Sequence, residues 1–114
     1  MKINNTTKGV ILAQQALIAA NPWQRMKGLL GENNLPSGGG LVIKPCNSIH
    51  TWFMRFSIDV LFLDKAGRVI KALSDLRPFS LTPLYFNALL AVELPAGVLK
   101  LSGTSEGDMV SLEE

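Results

Sequence analysis

The sequence predicts a mainly β fold, a β-rich α+β single domain in which six to eight strands form a compact, barrel-like sheet with one short covering helix. Three observations predict this class. Runs rich in β-branched and aromatic residues recur along the chain, separated by turns that contain Gly or Pro. Only residues 22–30 have clear helical spacing, and strands do not alternate with helices. The 114 residues, 47% of them hydrophobic, suffice for one core and leave little for a second domain.

The first element is an uncharged, mostly apolar run over residues 10–20, which we interpret as a strand. Its eleven residues are too few to span a bilayer, which needs about 20, so we expect no transmembrane segment. A weak signal peptide over residues 1–20 is the alternative, although Gln14 and Gln15 interrupt the part that should be most apolar. Without an export signal, the expected compartment is the cytoplasm.

The second element is a short amphipathic helix over residues 22–30. Asn21 can accept hydrogen bonds from the first free backbone N–H groups, and Pro22 suits the first helical position. An apolar stripe follows at helical spacing and stops at a glycine: Trp23, Met26, Leu30 and Gly31. Arg25 lies outside the stripe, so we expect it to reach a loop or a carboxylate.

The strongest local pattern is a β-hairpin. After a flexible loop over residues 36–40 and a short strand over 41–43, residues 49–63 form a dense β-branched and aromatic run. Residues 64–67 are a turn with Gly67 at its end, and residues 68–73 return as the partner strand. In an extended strand, Ile58, Val60 and Phe62 share one face, whereas Asp59, Leu61 and Leu63 share the other.

The rest of the chain alternates turns with short strands. Pro78 and Pro83 interrupt an irregular excursion that carries Phe79, Tyr85 and Phe86. A strand follows over residues 89–94, a helical turn over 97–102, a turn at 107–108 and a final strand over 109–112.

Charge and cysteine content exclude several classes of protein. The net charge is +2 and the basic residues are scattered singly, which argues against a nucleic-acid partner. The single cysteine excludes an intramolecular disulfide framework and a Cys-rich zinc site, and we expect no metal. No cofactor is indicated.

Six short phrases occur in order: Arg25-x-x-Gly28-Leu29-Leu30-Gly31, Pro45 through Thr51, Met54 through Asp64, Gly67-Arg68-Val69, Glu93 through Gly97, and Gly107-Asp108. Together they resemble the DUF192 family of small bacterial and archaeal domains, over about residues 10–112. The resemblance implies a compact, β-rich, stand-alone domain but no particular reaction. It places the family's characteristic residues at Arg25, Gly28, Asp59, Gly67, Glu93, Gly107 and Asp108.

Cys46 and His50 are the candidates for thiol chemistry. In such a pair the imidazole lowers the pKa of the thiol, and the thiolate attacks or binds a metal. An extended segment would separate the two residues by up to about 14 Å, so contact needs a tight turn between them. The alternative is a buried apolar cysteine and a histidine bonded to the backbone, which we favour.

Asp59 is the candidate pocket carboxylate. It either binds a ligand or acts as a base, or it is architectural and ties its strand to a helix or loop. A buried carboxylate needs a cation or several N–H donors, and Arg25 and Arg55 are the obvious cations. Glu93, close to the end of its strand, has the same two interpretations, and Arg25 is expected to pair with Asp59 or Glu93.

Trp52, Phe53, Met54 and Phe56 lie on alternating faces, as core residues or as walls of a site.

The leading hypothesis is a non-enzymatic module that binds a small ligand or partner in a pocket bordered by residues 46–59 and helix 22–30. Its contacts would be Arg25, His50, Trp52, Met54, Arg55, Asp59 and Glu93. One alternative is an enzyme with Cys46, His50 and Asp59 as nucleophile, base and orienter. The other is a protein-interaction or assembly module that uses the exposed aromatic strand.

Overall fold

A computed structural model describes residues 1–19, 37–52 and 54–114. The predicted helix over 22–30, with Arg25, lies outside these residues, as does Phe53. In the described part the fold is mainly β, as predicted, with one short helix. The elements are β1 (Lys2–Asn5), β2 (Val10–Ala13), β3 (Gln15–Ala19), β4 (Gly39–Ile43), β5 (Ile58–Leu63), β6 (Val69–Leu76), β7 (Leu90–Pro95), α1 (Val98–Ser102) and β8 (Val110–Glu113).

The described strands form two sheets, and these do not close into a barrel. The smaller sheet has the order β2-β1-β8 and the larger has the order β3-β4-β7-β5-β6. The predicted strand over residues 10–20 bends at Gln14, so that β2 belongs to the smaller sheet and β3 to the larger. The backbone N–H groups of Gln14 and Gln15 both donate to the carbonyl of Gly38 at this corner, at 2.9 and 3.0 Å.

One core lies between the two sheets. It contains buried side chains from both of them, including Ile3 and Leu12 of the smaller sheet and Leu61, Val92 and Leu94 of the larger. Strand β1 was not predicted, because its sequence has a single apolar residue, Ile3, between polar ones. Ile3 is fully buried because β1 is paired with β2 on one side and with β8 on the other.

A second cluster lies on the opposite face of the larger sheet. Ile58, Val60 and Phe62 contribute to it, whereas Leu61 and Leu63 belong to the core between the sheets. The predicted division of this strand into two faces is therefore confirmed. Two irregular segments cover the second cluster, and we call them the covering layer: residues 44–52 and 54–57, and residues 77–88.

The predicted β-hairpin is present as β5 and β6, which pair antiparallel. The Asp64 side chain closes its turn by accepting hydrogen bonds from the N–H groups of Ala66 and Arg68, at 2.9 and 3.0 Å. Gly67 adopts φ 91°, and a Cβ atom there would lie 2.6 Å from the carbonyl oxygen of Val110. A side chain is therefore excluded at this position by both conformation and space.

The ends of the smaller sheet are held by what we call the turn network: Asn5, Lys8, Thr104, Ser105 and Asp108. The buried Asn5 amide donates to Thr104 Oγ1 and Asp108 Oδ2, both at 2.9 Å. Lys8 Nζ lies 2.9 Å from the same carboxylate, which also accepts from the Ser105 N–H. Hydrogen bonds from Lys8, Asn5 and Ser105, in this order of size, lower the pKa of Asp108 from 3.8 to about 2.

Candidate functional site

The two segments of the covering layer are joined by a short antiparallel ladder. Thr51 N–H donates to the carbonyl of Ser80 and Phe79 N–H donates to that of Thr51, both at 2.9 Å. His50 forms an isolated β-bridge with Leu81. Residues 49–52 therefore pair with residues 79–82 and do not extend β5, which begins only at Ile58. The predicted continuous strand over 49–63 is wrong in its first half, because these residues leave the sheet to cover it.

Buried hydroxyl groups fasten this ladder from within. Thr51, which is fully buried, donates from Oγ1 to the carbonyl of Arg77 at 2.6 Å and accepts from the N–H of Ser80 at 2.9 Å. Thr82 accepts from the N–H of Ile49 at 2.9 Å, and Ser48 Oγ donates to the Thr82 carbonyl at 3.0 Å. These bonds satisfy backbone groups that no regular strand reaches, so the irregular layer has a defined shape.

The inner side of the covering layer is apolar and packed. Ile49 and Met54 are buried in the second cluster, and Cys46 and Phe56 pack against it. The ring of Tyr85 lies on that of Phe62, with 4.7 Å between centroids. This contact anchors the irregular 77–88 segment to β5 of the larger sheet.

The outer side of the same layer is also apolar, which is unusual for a solvent-exposed surface. Alternation directs His50 and Trp52 outward, whereas Ile49 and Thr51 point inward. We call the exposed residues the outer face: His50, Trp52, Phe79, Leu81, Leu84 and Phe86. Their apolar members are from 49% exposed, for Trp52, to 82% exposed, for Phe86. The His50 ring meets that of Trp52 edge to face at 6.5 Å.

Phe79 has a further peculiarity. Its backbone φ is 61°, in the left-handed region that residues with a side chain rarely adopt, while its ring is 76% exposed. The hydrogen bond from its N–H to Thr51 holds this conformation. The fold therefore accepts a conformational cost of about 1–2 kcal/mol at a residue whose side chain makes little contribution to the core.

The charged side chains within the two segments of the covering layer have one sign. Residues 44–57 and 77–88 contain Lys44, Arg55 and Arg77 but neither Asp nor Glu. All three cations are exposed. The covering layer is thus an apolar surface whose own charged side chains are all cationic.

The three residues proposed for thiol catalysis have different surroundings. Cys46 is half-buried and its Sγ lies 3.2 Å from the carbonyl oxygen of Ser48, to which it donates. His50 is exposed at the surface. Among the described residues, no hydrogen bond links Cys46 to His50 or His50 to Asp59.

Asp59 has an architectural arrangement. It is fully buried, and its Oδ1 accepts from the N–H of Asp75 at 2.8 Å. Its Oδ2 accepts from the N–H groups of Gly97 and Leu99, at 3.1 and 2.9 Å. The N-cap residue of helix α1 is Gly97, which has no side chain to cap the helix, so a carboxylate from β5 caps it instead. Three of the N–H donors that its burial requires come from the backbone.

Glu93 and Asp59 occupy opposite faces of the larger sheet. Glu93 is fully buried and pairs in register with Val60 of β5, which puts it on the face of the second cluster with Met54. Asp59 lies on the other face with Leu61. Arg25 is outside the described residues, so its pairing with Glu93 or Asp59 stays a prediction, as does a pocket against helix 22–30.

The predicted site residues therefore separate into two groups. His50, Trp52 and Arg55 lie exposed on the covering layer, whereas Met54, Asp59 and Glu93 are buried. Sequence reasoning did not select Leu81, Leu84, Phe79 and Phe86 as site residues, because their irregular segment has no period to orient them. The available indication was the density of large apolar residues between Pro78 and Phe86 without any charge.

In the part of the chain with described coordinates, no three His, Cys, Asp or Glu residues are arranged to hold a metal ion. No helix within those ranges is long and apolar enough to cross a membrane.

Comparison with known proteins gives consistent matches. The sequence profile of DUF192, described as Uncharacterized ACR, matches residues 3–112. A UPF0127 protein of Thermococcus sibiricus is 32% identical over 117 residues, covering 96% of this chain and 73% of that protein. A UPF0127 protein of Thermococcus gammatolerans is 31% identical over 113 residues, with 96% and 73% covered.

Two solved structures share the fold. A protein of unknown function from Novosphingobium aromaticivorans superposes with a TM-score of 0.79 at 19% identity, covering 97% of this chain and 82% of that chain. A protein from Sinorhizobium meliloti, described as a candidate transcription regulator, superposes with a TM-score of 0.78 at 20% identity, covering 96% and 89%. At these identities the likeness concerns the fold alone.

Proposed function

The chain belongs to the DUF192 family, and from that premise we propose that it is a binding module that recognises a protein partner through the outer face of the covering layer. The partner segment is apolar and carries carboxylates beside its apolar residues. His50 and Trp52, which the sequence indicated as ligand contacts, belong to this surface, and Arg55, a third indicated contact, is exposed on the same covering layer.

The observation that carries the proposal is the distribution of exposed apolar side chains. Nine large hydrophobic residues among those described are strongly exposed, and five of them lie on the covering layer. All three aromatic residues that are exposed in the described part of the chain are among these five: Trp52, Phe79 and Phe86. Scattered exposed leucines are ordinary, but aromatic residues concentrated on one surface are typical of an interaction site.

The layer is also suitable as a binding surface because it is preorganised. Thr51 and Thr82 are buried and hydrogen-bonded to the backbone of the facing segment. Side chains that project from such a ladder lose little further freedom on association. The left-handed Phe79 supports the same interpretation, because strained residues persist where a side chain must be presented in one direction.

Charge favours an acidic partner. The covering layer carries the exposed cations Lys44, Arg55 and Arg77, and its two segments contain no acidic residue. Opposite charges at the rim of an interface mainly select the partner and accelerate association, while the apolar centre supplies most of the affinity.

Peptide display with the full-length protein tests the proposal. The selected peptides should combine apolar residues with Asp or Glu, and binding is then measured by fluorescence anisotropy. We expect Trp52→Ala to weaken binding roughly 30-fold, which corresponds to about 2 kcal/mol at an interface centre. Leu101→Ser is the matched control, since Leu101 is 91% exposed on α1, away from the covering layer.

Charge reversal provides a second test of the proposed peptide binding. Arg55→Glu combined with Arg77→Glu should change the selected peptides from acidic to basic without unfolding the protein, as checked by circular dichroism. Peptides whose binding is insensitive to Trp52→Ala would overturn the proposal. Binding to vesicles of phosphatidylserine and phosphatidylcholine, to duplex DNA or to a small metabolite, with no peptide selected, would overturn it as well.

A further inference from the structure

The polar member of the outer face is His50, which is exposed. It forms its β-bridge with Leu81 of the facing segment. The ladder hydrogen bonds lie on either side of this pair, donated by the N–H groups of Thr51 and Thr82 at 2.9 Å each. His50 and Leu81 are therefore a non-hydrogen-bonded pair, the kind in which two facing side chains approach most closely.

The His50 imidazole consequently has apolar neighbours on the outer face. Leu81 lies beside it across the ladder, and the Trp52 ring meets it edge to face, with 6.5 Å between centroids. Trp52 is two positions along the same segment, so the two rings project from the same side of the layer. A partner that covers Trp52 and Leu81 must also cover His50.

The covering layer surrounds this imidazole with cations and neutral groups. Its side chains that titrate or carry charge, besides His50, are Lys44, Cys46, Arg55, Arg77 and Tyr85. The cysteine and the tyrosine pack against the second cluster, whereas the three cations are exposed. A proton on His50 therefore adds a positive charge to a surface whose other charges are also positive.

Two strands of the larger sheet also carry charged groups. Glu93 of β7 is fully buried on the face of the second cluster, whereas His50 points outward from the layer that covers this cluster. Strand β6 carries Asp75, and its Lys71 is paired with Glu106 at 3.4 Å. In the described part of the chain, no carboxylate is hydrogen-bonded to the His50 ring, so a protonated His50 can take its carboxylate from a partner.

We propose that His50 is a specificity-determining residue of the outer face, whose imidazolium pairs with a carboxylate of the bound partner. The inference rests on the proposed function, because it needs an acidic partner on this face. Histidine is the side chain whose charge changes between about pH 5 and 8, and His50 is the only histidine among the 114 residues.

The sign of the pH dependence follows from linkage. A partner that binds the protonated form of His50 more tightly must bind the protein more tightly at lower pH. The carboxylates of the partner stay ionised in this range, since Asp and Glu ordinarily titrate near about pH 4. Affinity for acidic, apolar segments therefore rises as the pH falls through the range in which histidine gains its proton.

Fluorescence anisotropy of a selected acidic peptide with the full chain, at pH values of about 5.5, 6.5 and 7.5 and constant ionic strength, tests the inference. In the wild type, the dissociation constant should fall about fivefold from the highest to the lowest pH, the usual size of one exposed charge pair. His50→Gln should bind with the same affinity at every pH. His50→Lys, which carries its charge throughout, should bind at the highest pH as tightly as the wild type does at the lowest.

Two controls separate His50 from other titrating groups. His50→Gln combined with Leu101→His moves the histidine to α1, where the leucine is 91% exposed, and should leave the affinity independent of pH. A peptide with Asn and Gln in place of Asp and Glu should bind the wild type without pH dependence. Circular dichroism at each pH establishes that every variant is folded.

The outcomes distinguish this inference from the proposed function. A selected peptide whose affinity for the wild type does not change with pH would contradict the role of His50 and leave the binding surface intact. The same holds for a pH dependence that persists in His50→Gln. If no peptide is selected at any pH, the proposed function is wrong, and the role of His50 is wrong with it.

Discussion

The covering layer and the turn network are both irregular parts of the chain held by buried polar side chains, but they differ in the residues that they expose to solvent. The buried polar side chains are Thr51 and Thr82 in the covering layer, and Asn5 and Asp108 in the turn network. Around the turn network the exposed residues are polar, among them Lys8, Ser105 and Glu106. Around the covering layer they are Trp, Phe and Leu.

The difference shows which features of this protein follow from folding alone. Buried polar groups must be hydrogen-bonded in any stable domain, so the two networks are equally well explained as architecture. Exposing several aromatic side chains contributes nothing to the core, and the fold would be at least as soluble with polar residues there. The outer face is therefore the region whose composition calls for a function.

The largest expected effect is on stability, from the architectural carboxylate. Asp59→Asn replaces an acceptor of three backbone hydrogen bonds with an amide that presents donors to N–H groups. We expect a loss on the order of 3–5 kcal/mol in the free energy of unfolding, because hydrogen bonds to charged groups contribute about 1.5–3 kcal/mol each and are not additive. Urea denaturation measures it.

At temperatures where the Asp59→Asn variant remains folded, its affinity for a selected peptide should equal that of the wild type. A loss below about 1 kcal/mol would contradict the architectural role, by the usual cost of one unsatisfied buried donor. A reduced affinity for the selected peptide in a fully folded variant would instead indicate that Asp59 belongs to the binding site.

The next effect concerns the turn network and its dependence on pH. The pKa of Asp108 is lowered from 3.8 to about 2 in the folded protein. Its stabilisation is therefore complete above pH 3.8 and is lost as the pH falls through about 2. The stability difference between wild type and Asp108→Asn should be constant near neutral pH and should shrink over this acidic interval.

Acid titration of urea midpoints measures the Asp108 difference, with Asp64→Asn as the comparison at a carboxylate in a turn of the hairpin. A difference that persists unchanged below pH 2 would contradict the assignment of the lowered pKa to this network. Peptide binding near neutral pH should not change in Asp108→Asn.

A matched pair of threonines provides the most direct test of the comparison. Thr51→Val and Thr104→Val each remove one buried hydroxyl while keeping the shape of the side chain, and each should cost about 1–3 kcal/mol, the usual cost of unsatisfied buried partners. Only Thr51→Val should also weaken peptide binding, because it loosens the ladder that presents Trp52 and Phe79. Amide hydrogen exchange at Phe79 and Ser80 should accelerate in this variant alone.

Should the two threonine variants affect peptide binding equally, the distinction between the two regions would be wrong. The same conclusion would follow if the amides of residues 79 and 80 were protected to the same extent in both variants.

The smallest effect is expected at an exposed ion pair. Lys71 Nζ lies 3.4 Å from a carboxylate oxygen of Glu106, and both side chains are substantially exposed. Lys71→Ala should change the free energy of unfolding by less than about 0.5 kcal/mol, since solvent screens such pairs. Thermal denaturation at low and high salt measures it, and a loss above 1 kcal/mol would show a role beyond the pair, by the same screening argument.

Local patterns in the sequence predicted a large part of this fold. Alternation over Ile58–Leu63 assigned each side chain to a face, and the Asp64–Gly67 turn followed from residue types that suit a tight connection. A helical turn was also predicted over residues 97–102, where α1 lies. These features depend on neighbours in the chain, which is why they can be derived without knowing the fold.

Other features could not be predicted in this way. Strand β1 has one apolar residue, and its existence depends on pairing with β2 and β8. The partners of Asp59 lie 16 to 40 positions away in sequence. The aromatic run over residues 49–52 looked like part of β5, but its pairing with residues 79–82 removes it from the sheet and turns Trp52 toward solvent.

The sequence by itself determined the class of this protein, since residue type and spacing specify strands, turns and the two faces of a strand through short-range sterics and periodicity. Only the tertiary structure decided which carboxylate is architectural and which aromatic residues are exposed. The physical reason is that burial and hydrogen-bond partners are properties of distant segments brought together by packing. Asp59 caps a helix and Trp52 is exposed to solvent because of segments that are distant in the sequence, which local patterns do not reveal.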